Sequence, residues 1–341
     1  MLQSNKELFM SKTSIDVTGV GNAIVDVLAN ADDAFLASQN IIKGGMILID
    51  EDQAAKIYGA MASTVEVSGG SAANSIACIA SLGGNGGFVG KVANDALGDV
   101  FRHDLRALGV TFDAPPLEGG PATGRCLINV TPDAQRSMTT FLGAAGMVSP
   151  TDIDETMIAQ SAVTFFEGYL FEQPVAREAF IAACEAAKKA GRKTALTLSD
   201  ASVVERQHDV LIEFTRAHVD ILLANDVEAA AIFGTDDLDQ IAEKARSLAS
   251  LTAVTLSEKG SALIPADGDI VMVDAIKPTQ LVDTTGAGDA YAAGLLFGVA
   301  RNMPLEKAGA LGSLAASEVI SHFGARPQQD LNALAVKAGL L

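Results

Sequence analysis

The sequence predicts an α/β fold: a mostly parallel central sheet covered by helices on both faces, with a small β-sheet lid standing off it. Three observations predict it. After residue 162, apolar runs of strand length alternate with segments of helical length, the signature of βαβ units. Residues 123–141 break that alternation with two β-like runs around Pro132-Asp133. Hydrophobic residues make up 49% of the 341, yet aromatics only 5% and Trp is absent, so the core is aliphatic, as helices packed over a sheet require.

In chain order, residues 17–21 read as a first strand running into a turn, and 44–50 and 64–68 as short strands. Gly69-Gly70 then opens a helix through Ser71, Asn74, Ile76, Ile79 and Leu82, which Gly83-Gly84 closes. In the second half, strands at 162–168, 194–199, 219–224 and 253–257 are separated by helices at 175–190, near 210–215, at 227–233 and at 238–250. Hairpin-like strands follow at 261–266 and 270–275, and the last helices start after Ala287, Pro304 and Gln328. We read 1–341 as one domain, with lid strands from about 40–68 and 112–145 inserted in the main body.

The net charge is −18, from 42 acids against 24 bases. Such a surface repels nucleic acid and anionic membranes, so any anionic ligand has to be held by local donors. Cys78, Cys126 and Cys184 stand far apart among apolar neighbours and read as buried free thiols of a reducing compartment. No CxxC occurs and the four histidines form no close pair, so no zinc site is expected. Residues 1–12 lack an apolar signal core, and no apolar run approaches a membrane span, so a soluble cytoplasmic protein is expected, whether Met1 or Met10 begins it.

The segment DTTGAGDAYAAGLLFG, at 283–298, sets a glycine turn and an acid at the mouth of an apolar helix. The first N–H groups of a helix lack partners and carry partial positive charge. Without a Cβ at Gly286 and Gly288, a ligand can approach those groups closely, which makes an anion site. Asp289 beside it can take a proton from an attacking hydroxyl, an assistance worth roughly 10²–10⁴ in rate. A helix cap would use the same acid without any chemistry. Two other phosphate signatures fail: Gly90-Lys91 is followed by Val92 where a P-loop has Ser or Thr, and Gly19-Val20-Gly21 meets Ile24 where a dinucleotide turn has Gly.

With SGGSAANSIACIASLGGNGGFVGKVANDALGD at 68–99, the late motif resembles the ribokinase (PfkB) family of sugar and nucleoside kinases, over nearly the whole chain after about residue 14. The resemblance implies a ribokinase-like body with a β lid, ATP as donor, Mg²⁺ as cofactor and transfer of the γ-phosphate to a hydroxymethyl oxygen. It implies Asp289 as base, with the amides of Gly286, Ala287 and Gly288 as anion hole. Asn22 and Asp26, with Gly69, Gly70 and Asn74, resemble the acceptor site, where a carboxylate grips paired hydroxyls. Asn225 and Glu228 match an NxxE element that organises Mg²⁺ through water, although a capping box has the same spacing. Thr255, Ser257, Gly260 and Thr285 resemble positions that meet ATP, with Ser257 standing where the family usually has Gly. Residues 322–326 (HFGAR) resemble a stretch near the adenine. Arg136 on a lid strand is expected to close over the transferring phosphate, and the 166–170 aromatics to line the acceptor.

Within the family, the stretches at 136–145 and 21–27 look most like adenosine kinases, with a ribose, fructose or keto-deoxy-sugar kinase as the alternative. A nucleotide-dependent oxidoreductase and a non-catalytic ligand sensor are the readings from other classes. The expected partners are a nucleoside or sugar and ATP, in a monomer or a homodimer joined through the lid.

Overall fold

The computed structural model describes residues 14–133 and 135–341. Residues 1–12, and with them both candidate starts, lie outside the described residues. The first half of the chain runs β1 (Ile15–Val20), β2 (Ile24–Asn30), α1 (Asp33–Ser38), β3 (Met46–Leu48), α2 (Glu51–Ala60), β4 (Val65–Gly69), α3 (Ser71–Ser81), β5 (Gly86–Val89), α4 (Ala96–Ala107), β6 (Gly124–Val130) and β7 (Arg136–Phe141). The second half runs α5 (Glu155–Gln160), β8 (Ser161–Glu167), α6 (Gly168–Phe171), α7 (Pro174–Lys189), β9 (Lys193–Thr197), α8 (Ala201–His218), β10 (Ile221–Asn225), α9 (Asp226–Phe233), α10 (Leu238–Ala245), β11 (Leu251–Thr255), β12 (Ser261–Pro265), β13 (Val271–Val273), α11 (Ala287–Ala300), α12 (Leu305–Val319) and α13 (Leu331–Lys337).

Eight strands form the main sheet in the order β13-β12-β11-β10-β9-β8-β1-β5. From β5 to β11 every pairing is parallel, and β12 and β13 close one edge as antiparallel strands. Helices bury both faces of the sheet, so β8 and β10 are buried along nearly their whole length rather than at alternate residues. The two sides are separate apolar cores, one under α3, α11 and α12, the other under α7, α8 and α9. Contrary to the aliphatic core expected, the second is built around the touching rings of Phe166, Phe171, Phe180 and Phe214. Three phenylalanines, Phe88, Phe101 and Phe112, pack as a triangle with ring centroids 5.4–5.7 Å apart, which fastens α4 to β5.

The second sheet has the order β3-β7-β6-β2-β4. It takes in β2, which lies before the expected 40–68 segment. That strand alternates in burial as a half-covered strand does, but its polar face looks like a ligand motif when only residue types are read. Between β3 and β4 stands α2, started by a capping box in which Asp50 and Gln53 exchange hydrogen bonds. Two helices differ in length from the expectation. α8 runs well beyond 210–215, with a kink at Gln207, and α10 stops at Ala245, after which Arg246 turns to donate to the Pro265 carbonyl at 2.9 Å. Among the described residues, no helix is long and apolar enough to cross a membrane.

The small residues of α11 have a packing cause. A Cβ on Gly294 would lie 2.4 Å from the backbone of Leu311 and Gly312, and one on Gly298 would lie 2.5 Å from Ala308 Cβ. α11 and α12 therefore cross nearly backbone to backbone, and α11 also packs on α3. Gly294→Val is expected to cost about 1–3 kcal/mol by overpacking. Urea unfolding would show this as a lower midpoint with an unchanged slope.

Candidate active site

In the parallel sheet, Glu167 ends β8, Asn225 ends β10, Thr255 ends β11 and Asn22 follows β1. Chemistry-bearing residues thus gather at the carboxyl ends of the strands, where open α/β sheets place ligands. A cleft of about 640 Å³ lined by Lys188, Arg216 and His218 lies at the opposite, amino ends of β9–β11, away from all of them.

The glycine turn arrives at this edge as the N-terminus of α11. Gly286 caps the helix in a left-handed conformation (φ 79°), with no side-chain cap, and a Cβ there would sit 2.6 Å from Ala325 Cβ. Over Gly288 there is open space, with nothing within 4 Å of where a Cβ would be. The Ala287 N–H donates to the Thr284 carbonyl at 3.2 Å, and the Thr285 N–H and hydroxyl donate to Asp283 Oδ1 at 3.1 and 2.7 Å. Among the described residues no acceptor meets the N–H groups of Gly286 and Gly288. Of the three amides expected to face an anion, two are open and the third closes the turn.

Asp289, in the first turn of α11, meets the N-terminal turn of α3. Its Oδ1 accepts from Ser71 Oγ at 2.6 Å and its Oδ2 from Asn74 Nδ2 at 3.2 Å, while Ser75 Oγ donates to its carbonyl at 2.9 Å. Burial raises the carboxyl's proton affinity, and the Ser71 and Asn74 hydrogen bonds hold it back. Ser71 carries no signal in the sequence beyond its place in the early motif.

The expected acceptor residues converge beside this carboxyl. Gly69 pairs with Ile24 in the second sheet, and a Cβ on it would lie 2.5 Å from the Asp26 carboxyl, so only glycine leaves that acid room. Burial pushes Asp26 up to about 6. Arg326 and Arg136 pull it down, and Asp289 adds to the rise. Gly70 is the N-cap of α3 and abuts the Asn22 carbonyl. Buried Glu167, unremarked in the sequence, ties these pieces together: Oε1 accepts from the Asn22 N–H at 2.8 Å and Nδ2 at 2.6 Å, and Oε2 from the Ala72 N–H at 2.8 Å. Desolvation raises it to about 7 despite those three donors. Burial and the carboxylates of Asp200, Asp289, Glu228 and Glu167 likewise raise the Tyr169 phenol. Phe165 and Phe166, by contrast, are fully buried core residues and line no open site. Asn22 Oδ1, Arg136 Nε and Arg326 Nη2 are buried with no partner among the described residues, an unmet polar set that fits a hydroxylated ligand.

Arg136 reaches from β7 in the second sheet to the body, but its partner is an acid. Its Nη2 lies 2.7 Å from Asp283 Oδ2, an ion pair with both side chains nearly buried, and its guanidinium lies 5.7 Å from the Phe323 ring centroid. Asp283 also accepts from the Gly324 N–H at 3.0 Å. Residues 322–326 meet the acceptor side as well: Arg326 donates from Nε to Asn74 Oδ1 at 3.2 Å and from Nη1 to Ser68 Oγ.

Asn225 and Glu228 form a full capping box. The Asn225 N–H and Nδ2 donate to the two Glu228 oxygens at 3.0 and 2.8 Å, and the Glu228 N–H donates to Asn225 Oδ1 at 2.8 Å. Burial raises Glu228 to about 7, the Asn225 N–H opposes this, and Asp200, Asp226 and Asp289 add to it. Ser257 is exposed with φ 55°, which explains why glycine suits that position, and Gly260 turns the chain into β12. No cluster of three or more His, Cys, Asp or Glu fit to hold a metal occurs among the described residues. Both Glu228 oxygens already accept from Asn225, so this pair would meet a Mg²⁺ ion, which keeps several waters in its shell, through water and not directly. Cys78, Cys126 and Cys184 are buried and free.

A family model described as pfkB family carbohydrate kinase matches residues 45–331. The crystal structure of adenosine kinase from Sinorhizobium meliloti is 47% identical, covers 96% of this chain and 100% of its own, and superposes with a TM-score of 0.88. A probable sugar kinase from Rhizobium etli is 41% identical with the same coverage and a TM-score of 0.89. Among curated proteins, adenosine kinase 2 of Arabidopsis thaliana is 26% identical over 90% of this chain and 94% of its own length.

Glu167 generates a prediction. Its carboxyl titrates near 4.5 in an unfolded chain and near 7 when folded. The folded state thus holds the proton more tightly, so the stability this group contributes is complete below pH 4.5 and is lost as pH rises to about 7. Glu167→Gln removes the titration. Relative to the native protein, the variant's unfolding free energy is expected to gain about 1–3 kcal/mol between those limits, read by urea unfolding at the two pH values. A constant difference would show that Glu167 does not titrate this way.

Proposed function

Because the chain belongs to the pfkB family of carbohydrate kinases, we propose that it transfers the γ-phosphate of ATP to the hydroxymethyl oxygen of a nucleoside, adenosine being the first candidate and AMP its product. One observation carries the nucleoside reading. Residues opposite each other in a β ladder share a face, and the registers put Val67 opposite Asp26, Cys126 opposite Asp26 and Thr140, Leu48 opposite Thr140, and Met46 opposite Met138. By alternation Arg136 and Val65 lie on that same face. The sheet face that carries Asp26 and Arg136 therefore also carries Met46, Leu48, Val65 and Val67, all exposed. Acidic and basic groups beside exposed aliphatic surface suit a ligand with a polyhydroxyl part and a flat apolar part, as a ribose and its base provide. The relatives named as adenosine kinases support the same reading.

In this reading Asp26 and Asn22 grip the ribose hydroxyls and Asp289 faces the hydroxymethyl group. Asp289 takes the hydroxyl proton as the oxygen bonds to the γ-phosphorus and the bond to the β-phosphate oxygen breaks, releasing ADP. Its raised proton affinity suits a base that accepts a proton at neutral pH. The open N–H groups of Gly286 and Gly288 hold the charge on the phosphoryl oxygens. Thr255, Ser257, Gly260 and Thr285 border the donor. Mg²⁺, when bound, would neutralise phosphate charge, with Glu228 and Asn225 ordering its waters. The second sheet is the lid, and Arg136, released from Asp283, is the cation it would bring to the phosphate.

A sugar kinase is the second reading. The 41% identical probable sugar kinase favours it, and Asp26 with the unmet polar atoms of Asn22, Arg136 and Arg326 would serve a sugar alone. Two measurements test the proposal. Asp289→Asn is expected to keep its fold and nucleotide binding and to lose roughly 10²-fold or more in kcat. Near-normal turnover would remove Asp289 from the mechanism. ADP release with adenosine, ribose, fructose and keto-deoxygluconate is expected to be fastest with adenosine, and a faster sugar would replace the nucleoside reading.

A further inference from the structure

Asn74 holds Asp289 through its amide nitrogen. The two ends of an amide have nearly the same shape; an ionised Asp289 accepts from Nδ2, and the amide's other partner fixes the opposite end. Here that partner is Arg326, whose Nε donates to Asn74 Oδ1 at 3.2 Å. A guanidinium only donates, so it selects the oxygen end and leaves Nδ2 turned to the carboxylate. Arg326 is itself fixed. Its Nη1 donates to Ser68 Oγ, and the Ser68 N–H and hydroxyl donate to Asp104 Oδ2 on α4 at 2.9 and 3.1 Å. A continuous chain of hydrogen bonds therefore runs from α4 through Ser68, Arg326 and Asn74 to Asp289.

We propose that Arg326 is a positioning residue for the transfer: it sets the orientation of the Asn74 amide that aims Asp289, and it keeps a positive charge beside Asp26. The inference rests on the reading of Asp289 as base. The charged and titratable groups facing Asp26 are Arg326 from the C-terminal segment, Arg136 from β7, Asp289 from α11 and Cys126 from β6. Arg326 holds Ser68, the neighbour of the glycine that lies against the Asp26 carboxyl. Of the charged groups here, the two guanidiniums favour the ionised form that grips hydroxyls, Arg326 the more strongly.

The test is steady-state kinetics of the full-length protein with adenosine, ATP and Mg²⁺, for Asp289→Asn, Asn74→Ala, Arg326→Lys, Arg326→Gln and the Asn74→Ala/Arg326→Gln pair. Circular dichroism checks the fold. Arg326→Gln is expected to lower kcat roughly 10- to 100-fold, as loss of a charge-assisted hydrogen bond does. Because both residues act through one amide, the double variant is expected to fall no further than Asn74→Ala. Binding through Asp26 weakens as pH falls through its pKa. Without the Arg326 charge that pKa is higher, so the rise in acceptor KM on acidification is expected to begin at a higher pH in Arg326→Gln. Arg326→Lys keeps the charge but not the planar fork, so its KM profile is expected to match the native one while kcat falls. If Arg326→Gln fails to fold, this split in Arg326→Lys alone decides. Losses that multiply in the double variant, an unchanged kcat in Arg326→Gln, or an Arg326→Lys profile without the split would overturn the inference while Asp289→Asn stays inactive. An active Asp289→Asn would overturn the base reading instead.

Discussion

The site is organised around one carboxylate held between two helix N-termini. Asp289 stands in the first turn of α11 and accepts from Ser71 and Asn74 in the first turns of α3. A helix start supplies unpaired donors and partial positive charge, which compensate part of the cost of burying an acid. Both helices are held at that meeting point by backbone-close packing, α11 on α12 through Gly294 and Gly298, and α3 beneath β1 and β5. Displacing either helix would lengthen the hydrogen bonds that aim the carboxyl.

Around that acid the protein gathers more negative charge than an anion-handling site would suggest. Asp26, Glu167 and Glu228 are all pushed toward their neutral forms, chiefly by desolvation. Each is compensated by different means. Asp26 has two guanidiniums, Glu167 three protein donors, and Glu228 the reciprocal box with Asn225. In a chain of net charge −18, the donors near these acids include the open amides at Gly286 and Gly288 and the guanidiniums of Arg136 and Arg326, the first of which already pairs with Asp283. Asp283 links the three parts of the site, since its carboxyl holds Thr285 in the glycine turn, Gly324 in the C-terminal segment and Arg136 on the second sheet.

Much of this was legible in the chain. The alternation after residue 162 predicts the parallel sheet because each strand is a short apolar run between helices, and period and length survive without tertiary knowledge. The glycine turn with Asp289 is legible because glycine next to an acid before a long apolar helix is costly unless something must approach. Less legible were β2, which looks like a binding motif, and α2, whose moderate amphipathicity is hidden between the two strands expected at 44–50 and 64–68. Glu167 looked like the end of an ordinary strand, because the donors it serves lie 95 and 145 residues away.

The sequence by itself determined local terms: the alternation of strand and helix after residue 162, where glycine leaves backbone donors open, and which acids and amides, at 22, 26, 74, 225, 228 and 289, stand in the motifs. Tertiary structure alone decided which of them meet. It set Arg136 on Asp283, turned the Asn74 amide by way of Arg326, and placed exposed aliphatic residues beside Asp26 on one sheet face. The reason is physical. Propensity and spacing act over a few residues, whereas hydrogen bonds, ion pairs and strand register between positions far apart in the chain exist only once it has packed.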